Sequence, residues 1–264
     1  DMDDLSAASI IDVKSFYSDY YNPSNATIVV TGDVDPNHVI KKIEELFSQI
    51  PQSELVPSPD LTEPEQKKEN RHHRIDRLAP KPAMCIAYHA PPRMSNDFFA
   101  LGLFDQMFVQ GEDSLLNKSL VREKGITEDI FGGITFEGNM FTSKDPMLWH
   151  FSMIYDELNS SEHIIKLVDQ LLNTTKDKKN IAQLLPVART KIDSSLFHVL
   201  QRGPYKGIGL AEMLAAFSFY DDNPFLINEI QDRFYDIDYE QILNVIDNYL
   251  NKANRNILFV KPGA

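Results

Sequence analysis

Two stretches of the chain, related by a shift of 229 positions, share one order of elements: a helix, an Asn-containing turn and a β-branched strand. The first stretch covers 6–30 and the second covers 239–260. The shift aligns four pairs of identical residues, namely Tyr20 with Tyr249, Asn22 with Asn251, Asn25 with Asn254 and Ile28 with Ile257. Repetition of a whole helix–turn–strand unit is typical of a duplicated structural element. The repeat therefore predicts that the chain contains parts of two homologous α/β units.

The first of these units is predicted to be a helix–strand–helix segment over residues 1–50. Its first helix, 6–21, has Ser6 as the expected N-cap and an apolar face of helical spacing. The run Ile28-Val29-Val30 has the length and branching of a buried strand. Asp35-Pro36 then opens a second helix, because Pro is well tolerated at the first helical position.

Residues 51–70 are predicted to be a linker. Four prolines, at positions 51, 57, 59 and 64, stand there among Ser, Glu, Gln and Lys. Such a composition buries too little apolar surface to fold alone and favours an extended path.

The remaining segment, 71–264, has enough elements for a complete domain. Strands are expected at about 71–78, 83–89, 129–136, 147–155 and 256–260, and helices at about 97–110, 115–124, 160–172, 181–201, 209–219, 223–234 and 239–250. We expect α+β layers, with helices on one face of a largely antiparallel sheet.

Charge and cysteine content narrow the classes of function. The formal net charge is −13, and the basic residues form only short pairs, which argues against nucleic acid as a partner. No apolar run reaches the ~20 residues that span a bilayer. The single cysteine, Cys85, cannot form an internal disulfide and is expected to be an inert buried thiol. The acidic start does not look like a signal peptide, and both the bacterial periplasm and the cytoplasm are compatible with the sequence.

Two blocks of the chain resemble a known family. The segment from Phe16 to Asp33 is similar to the signature that opens the C-terminal region of the pitrilysin/insulinase (M16) zinc metallopeptidases. The segment 99–126 resembles the helix, Gly-rich turn and Leu-Val-Arg-Glu-Lys-Gly run of the same family, with that run at 120–125. The blocks stand in the family's order and are joined by a Pro-rich linker, as in the family.

The resemblance implies a fold, a domain organisation and a set of partners. The implied fold is α+β, a two-layer α/β sandwich of the M16 metallopeptidase type, with helices packed on one face of a mainly antiparallel sheet. Members of this family contain two homologous domains that enclose a chamber, and the second domain usually lacks zinc and helps to hold a peptide substrate. Residues 1–50 would then be the tail of the first domain, 51–70 the linker and 71–264 the second domain. The implied partners are a peptide substrate and either an N-terminal catalytic domain or an active homologous subunit. A homo-oligomer is a further alternative.

The zinc motif of the family, His-x-x-Glu-His, does not occur in the sequence. None of the seven histidines has a second histidine four residues away, the spacing that puts two ligands on one helix face. We therefore predict no catalytic residue and no metal ligand in the chain. Zinc would be bound by residues outside it, and the chain alone would be inactive.

Five residues are candidates for substrate binding. In some members of the family, an Arg and a Tyr on or after the strand at 147–155 bind the substrate near the scissile bond. The candidates here are Trp149, His150, Tyr155, Arg202 and Tyr205. None of these candidates matches the family's pair residue by residue. Tyr155 has no Arg near it on its strand, and Arg202 and Tyr205 lie at a helix break. The alternatives to substrate binding are structural: a histidine packed on a strand, and a turn with a capping arginine.

Three hypotheses about function follow from the resemblance. The chain is the C-terminal part of a zinc peptidase, closing the peptide-binding chamber and positioning the substrate. Alternatively, it is a non-catalytic subunit that works beside a separate active subunit. The third hypothesis is a structural core subunit of a larger complex.

Overall fold

The computed structural model describes residues 2–51, 54, 60–136, 139–201 and 207–263. The chain divides into two compact units. The first comprises Asp1–Asp60 and Leu200–Pro224, and the second comprises Leu61–Val199 and Phe225–Ala264. Each unit is described separately below.

The helices are α1 Met2–Ala7, α2 Ile10–Tyr20, α3 Pro36–Phe47, α4 Asn96–Phe108, α5 Ser161–Thr175, α6 Lys178–Gln201, α7 Ile208–Asp221, α8 Ile230–Asp236 and α9 Tyr239–Asn248. The strands are β1 Asn70–Asp76, β2 Ala83–His89, β3 Phe131–Ile134, β4 Leu148–Ile154 and β5 Arg255–Pro262. Short 3₁₀ turns lie at Pro23–Asn25, Pro224–Asn228 and Lys252–Asn254, and a π-helical segment at Asn117–Glu123.

In the first unit, the expected helix at 6–21 is two helices, and the prediction of Ser6 as its N-cap is wrong. Helix α2 begins after Ser9, whose side chain accepts from the Asp12 backbone N–H while the Asp12 carboxylate accepts from the Ser9 backbone N–H. This reciprocal capping box satisfies two backbone donors at once. Ser6 has a serine three residues later and cannot form the box, so the helix boundary falls at Ser9.

The apolar run at 28–30 is not a strand. It has no ladder partner among the described residues, and Ile28 and Val30 are 51% and 48% exposed. A strand is defined by backbone hydrogen bonds to a neighbour, which local sequence cannot supply. The second helix of this unit is as predicted, with Asp35 as the N-cap of α3 and Pro36 at its first position.

The second unit contains a five-stranded sheet, in the order β1-β5-β2-β4-β3. Only β1 and β5 are paired in parallel, and the other described pairs are antiparallel. Ile86 on the central strand β2 faces Phe151 of β4 on one side and Ile257 of β5 on the other. The structure confirms the predicted α+β class and the mainly antiparallel sheet.

Helix α4 is the main element of the helical layer. It is buried along most of its length, because Phe98, Phe99, Leu101, Phe104 and Phe108 point to several sides of the helix and are all fully buried. It packs against α8, α9 and β3. Burying one such side chain contributes roughly 1.5–3 kcal/mol, so this helix anchors the core of the unit.

Three smaller differences separate this unit from the sequence prediction. The helix expected at 115–124 is π-helical over Asn117–Glu123, and it ends just before Gly125, whose φ of +58° favours glycine. The helix expected from Ile181 begins earlier, at Lys178, and the helix expected at 223–234 is a 3₁₀ turn followed by α8. Among the described residues, no helix is both long and apolar enough to cross a membrane.

Candidate functional site

The strands of the second unit give the sheet two chemically different faces. On β4, Trp149, Phe151 and Met153 are at most 2% exposed and face the helices, whereas Ile154 is 55% exposed and faces the opposite side. Successive side chains of a strand point to opposite faces, so alternate residues of β4 belong to the second face. We call this second face, which does not pack on the helical layer, the open face.

Strand register arranges the open face into rows that cross the sheet. The rows, each read from β4 through β2 and β5 to β1, are His150–Ala87–Asn256–Asn70, Ser152–Cys85–Leu258–His72 and Ile154–Ala83–Val260–Arg74. Neighbouring strands lie about 4.8 Å apart, so one row is about as long as an extended segment of four residues. The first row is the most polar. The open face thus offers a wide, shallow surface of mixed chemistry.

His150 is the most constrained polar side chain of this face. Its Nε2 lies 3.1 Å from the carbonyl oxygen of Thr135, and its ring stacks on Phe136 with centroids 4.0 Å apart. Because a carbonyl can only accept, Nε2 carries the proton and Nδ1 is an acceptor. Nδ1 is buried and has no hydrogen-bond partner among the described residues. Burial lowers the pKa of His150 below its ordinary value, because it disfavours the charged ring.

Backbone geometry beside His150 explains how the ring is held. Thr135 has φ +68°, a left-handed conformation that is uncommon for a residue with a branched Cβ. At Gly132, an added Cβ would lie 2.2 Å from the carbonyl oxygen of His150, so only glycine fits. The Gly132-Gly133 pair thus allows the close approach of β3 to β4.

A groove of about 840 Å³ adjoins the polar row of the open face. Its walls are residues 63–68 on one side and the ends of β2, β4 and β5 on the other, with contributions from Glu63, Pro64, Gln66, His89, Pro146, Met147, Leu148 and Asn256. The amide of Asn256 donates to Gln66 Oε1 over 2.9 Å and accepts from Asn70 Nδ2 over 3.1 Å. Volume, apolar walls and a few fixed amides are the usual properties of a ligand-binding groove.

Of the predicted site residues, Trp149 and Tyr155 lie on the side of the sheet that faces the helices. Trp149 is fully buried and its Nε1 donates to Asp105 Oδ1 over 2.7 Å. Tyr155 is 7% exposed, and burial raises the pKa of its hydroxyl. His150 alone of these three belongs to the open face, because neighbouring residues on a strand point to opposite sides. Arg202 and Tyr205 lie outside the described residues.

An ion-pair cluster at the end of the sheet was not anticipated from the sequence. The guanidinium of Arg255 is 2% exposed and is held by two carboxylates. Its Nε donates to Glu69 Oε2 over 2.8 Å, and its Nη1 donates to Asp169 Oδ1 over 2.5 Å. Burial acts to raise the pKa of Glu69, but hydrogen bonds from Arg71 and Arg255 outweigh it and lower that pKa. The sequence signal for this cluster is Arg255 itself, a single charged residue at the start of an apolar strand. Because a charged side chain is rarely buried without a partner, such a position indicates an ion pair.

The described residues do not include a zinc site. No group of three or more His, Cys, Asp or Glu side chains in this part of the chain is arranged to hold a metal ion. The neighbouring histidines of β1 diverge, since His72 is in register with Leu258 on the open face while His73 stacks on Phe259 at 4.7 Å. Zinc needs at least three converging ligands, so these residues do not fit that metal.

Comparisons with known proteins agree with this geometry. The profile of the family described as "Peptidase M16 inactive domain" matches residues 8–184. The chain is 24% identical over 271 residues to the zinc protease PqqE of Helicobacter pylori, covering 99% of this chain and 57% of that protein. It is also 24% identical over 230 residues to the mitochondrial presequence protease of Danio rerio, covering 83% of this chain and 22% of that protein.

Solved structures show the same fold. The crystal structure of a protease from Helicobacter pylori superposes with a TM-score of 0.86 at 20% identity, over 99% of this chain and 61% of that one. At this level of identity the likeness concerns the fold alone. The chain thus spans somewhat more than half of the two Helicobacter pylori relatives.

Proposed function

Because the chain belongs to the M16 peptidase family as an inactive C-terminal domain of a zinc protease type, we propose that it holds peptide substrates for a separate catalytic domain. Residues 1–50 are then the tail of a preceding homologous domain, 51–70 are the linker and 71–264 are the substrate-holding domain. The open face closes one side of a chamber around the peptide. Zinc belongs to the catalytic domain or to an active homologous subunit.

One observation carries this proposal, the difference in burial between the two copies of the repeat. Val13 and Phe16 of α2 are 57% and 56% exposed. Their counterparts 229 positions later, Ile242 and Val245 of α9, are fully buried in a unit where α9 packs against α4. The same apolar face is therefore covered in one copy and bare in the other. A homologous domain with its own counterpart of α4 is the partner that fits it.

Peptide holding is the role that the open face supports. An extended peptide exposes backbone N–H and C=O groups at regular intervals, and the side-chain amides of Asn70 and Asn256 line the groove beside the polar row. The groove beside the polar row has walls suited to apolar side chains and amides suited to a peptide backbone. These residues bind and orient a peptide. The attack on the scissile bond occurs at the catalytic partner.

Reconstitution with a catalytic partner tests the proposal. The full chain is mixed with an M16 domain that carries His-x-x-Glu-His, taken from the same organism. We expect a 1:1 complex in size-exclusion chromatography, loss of hydrophobic-dye binding by the chain, and chelator-sensitive peptide cleavage in the mixture only. Chelator-sensitive cleavage by the chain alone would refute the proposal, and so would a dye-free monomer that forms no complex.

A further inference from the structure

A second cavity, of about 450 Å³, lies between α5, the 3₁₀ turn at Lys252–Asn254 and residues 67–71. Six basic and three acidic side chains line it, namely Lys67, Lys68, Arg71, Lys166, Lys252 and Arg255, with Glu69, Glu162 and Asp169. The lining therefore carries three net positive charges in a chain whose formal charge is −13. We call this cavity the basic pocket. It shares Lys67 and Lys68 with the groove beside the open face, and its other lining residues are its own.

The acidic side chains of the basic pocket are already occupied. Glu69 accepts from Arg71 and Arg255, and Glu162 accepts from Arg71. Asp169 accepts from Arg255 over 2.5 Å and lies 3.6 Å from the ammonium group of Lys252. These carboxylates are therefore neutralised by arginine and lysine from within the pocket and leave its other cations without counter-charges.

Three ammonium groups remain without a partner. Lys67, Lys68 and Lys166 make no side-chain hydrogen bond and no ion pair with the described residues, although all three line the same cavity. The three lysines are exposed residues that line one cavity, so an anion that enters it is attracted by all three positive charges and reduces their mutual repulsion. Arg255 is 2% exposed and fixed by its two carboxylates, so the wall behind these lysines is rigid.

From this arrangement we propose that the basic pocket binds a small oxyanion of the phosphate class that carries two or more negative charges. The volume lies within the usual range for small-ligand sites, about 300–1,000 Å³. Lysine binds phosphate oxygens as a mobile point charge, which suits lysines arranged around an anion. A bound anion would join residues 67–68 to α5 and raise the stability of the second unit by mass action.

The test is calorimetric titration of the full chain with inorganic pyrophosphate at constant ionic strength. Thermal unfolding, followed by the fluorescence of the single Trp149, provides a second readout. The test variant is Lys68→Gln/Lys166→Gln. The control is Lys124→Gln/Lys144→Gln, which removes the same charge from two exposed lysines outside the pocket. Arg255 is left intact because it belongs to the ion-pair cluster.

We expect pyrophosphate to bind with a dissociation constant below about 1 mM and to raise the unfolding temperature. The test variant should bind at least about tenfold more weakly, since each lost charge removes a direct contact, while the control stays within about twofold. Inorganic phosphate and a nucleoside diphosphate serve as further ligands. Equal binding of the diphosphate and pyrophosphate identifies phosphate recognition alone, and tighter binding of the diphosphate identifies a nucleotide. Absence of pyrophosphate binding, or equal weakening in both variants, would overturn the inference.

Discussion

Asn25 and Asn254 make the same hydrogen bond. The side-chain amide of Asn25 donates to the carbonyl oxygen of Tyr20 over 2.9 Å, and that of Asn254 donates to the carbonyl oxygen of Tyr249 over 2.8 Å. Both bonds bridge the end of a helix to the 3₁₀ turn that follows it. The two copies of the repeat thus share their local structure in atomic detail.

The start of each helix repeats as well. Ser9 and Asp12 form the capping box of α2, and Asp238 and Gln241, 229 positions later, form the capping box of α9. Neither residue type is the same in the two copies, yet each pair satisfies the same two backbone donors. The turn residues and the cap positions together indicate that α2 and α9 descend from one structural unit. The two helices differ in their packing, because the apolar face of α9 is buried and that of α2 is exposed.

Matched substitutions in the two helices test this difference. Phe16→Asp should change the stability of the isolated chain by less than about 0.5 kcal/mol, because the ring is exposed. Val245→Asp should cost at least about 4 kcal/mol, because it buries an unpaired charge in the core. Urea denaturation followed by circular dichroism measures both values. Phe16→Asp should also abolish association with a catalytic partner, and unchanged association would contradict the proposed role of α2.

Removal of the buried guanidinium should be strongly destabilising. Arg255→Met leaves Asp169 without its closest partner and Glu69 with Arg71 alone, so we expect a loss of about 3–5 kcal/mol. The control is Arg122→Met, which breaks an exposed ion pair with Glu112 and should cost at most about 1 kcal/mol. Chemical denaturation followed by Trp149 fluorescence reports on the second unit. Similar losses in the two variants would show that the cluster around Arg255 is not a special stabilising element.

Asp105 should make the stability of the second unit depend on pH. Burial raises its pKa to about 6 from an ordinary value of 3.8, against the opposing hydrogen bond from Trp149. The folded state therefore keeps a proton that the unfolded state releases, and stability falls as pH rises from about 4 to about 6. The penalty above pH 6 is about 3 kcal/mol, from two pKa units at 1.36 kcal/mol each.

The variant Asp105→Asn isolates this effect, because the amide oxygen still accepts from Trp149 Nε1 but does not ionise. We expect wild type and variant to be similar in stability near pH 4 and the variant to be more stable at pH 7. Unfolding curves across this range measure the difference. A difference that does not change with pH would show that Asp105 titrates normally.

His150 gives a test of peptide holding in the assembled protease. His150→Ala removes the ring that stacks on Phe136 and donates to the carbonyl oxygen of Thr135, so the backbone beside the open face loses its anchor and KM for a peptide should rise about three- to tenfold. His150→Gln retains a donor for the carbonyl oxygen of Thr135 and should show a smaller rise. His163→Gln, at an exposed position of α5, is the control. Equal KM values for all three variants would remove His150 from the peptide site.

Much of the fold could be predicted from the sequence, because local signals mark its elements. Strand β2 has the predicted bounds, and Asp35-Pro36 opens α3 as predicted. The helical segment expected at 115–124 ends just before Gly125. Alternation of apolar residues on β4 and the uniform apolarity of α4 likewise indicate a sheet covered by helices. The resemblance of two separate blocks to one family also indicates the fold class.

The candidate site was less predictable, because it depends on pairs of residues that are distant in the chain. Trp149 and His150 are neighbours in sequence, yet one is fixed in the core by Asp105 and the other belongs to the open face. The partners of Arg255 lie 186 and 86 positions away. No local pattern indicates such contacts, since strand register and helix packing bring the side chains together only in the folded chain.

The repeat distinguishes the features that local sequence determines from those that tertiary structure determines. The sequence alone determined that residues 6–30 and 239–260 share a helix, a turn and a β-branched run, because caps, turn residues and apolar spacing act over a few positions. Only the tertiary structure decided that one run becomes the paired strand β5 while the other finds no strand partner among the described residues and keeps exposed side chains. Pairing and burial need a partner surface, and α9 and β5 find theirs within the second unit.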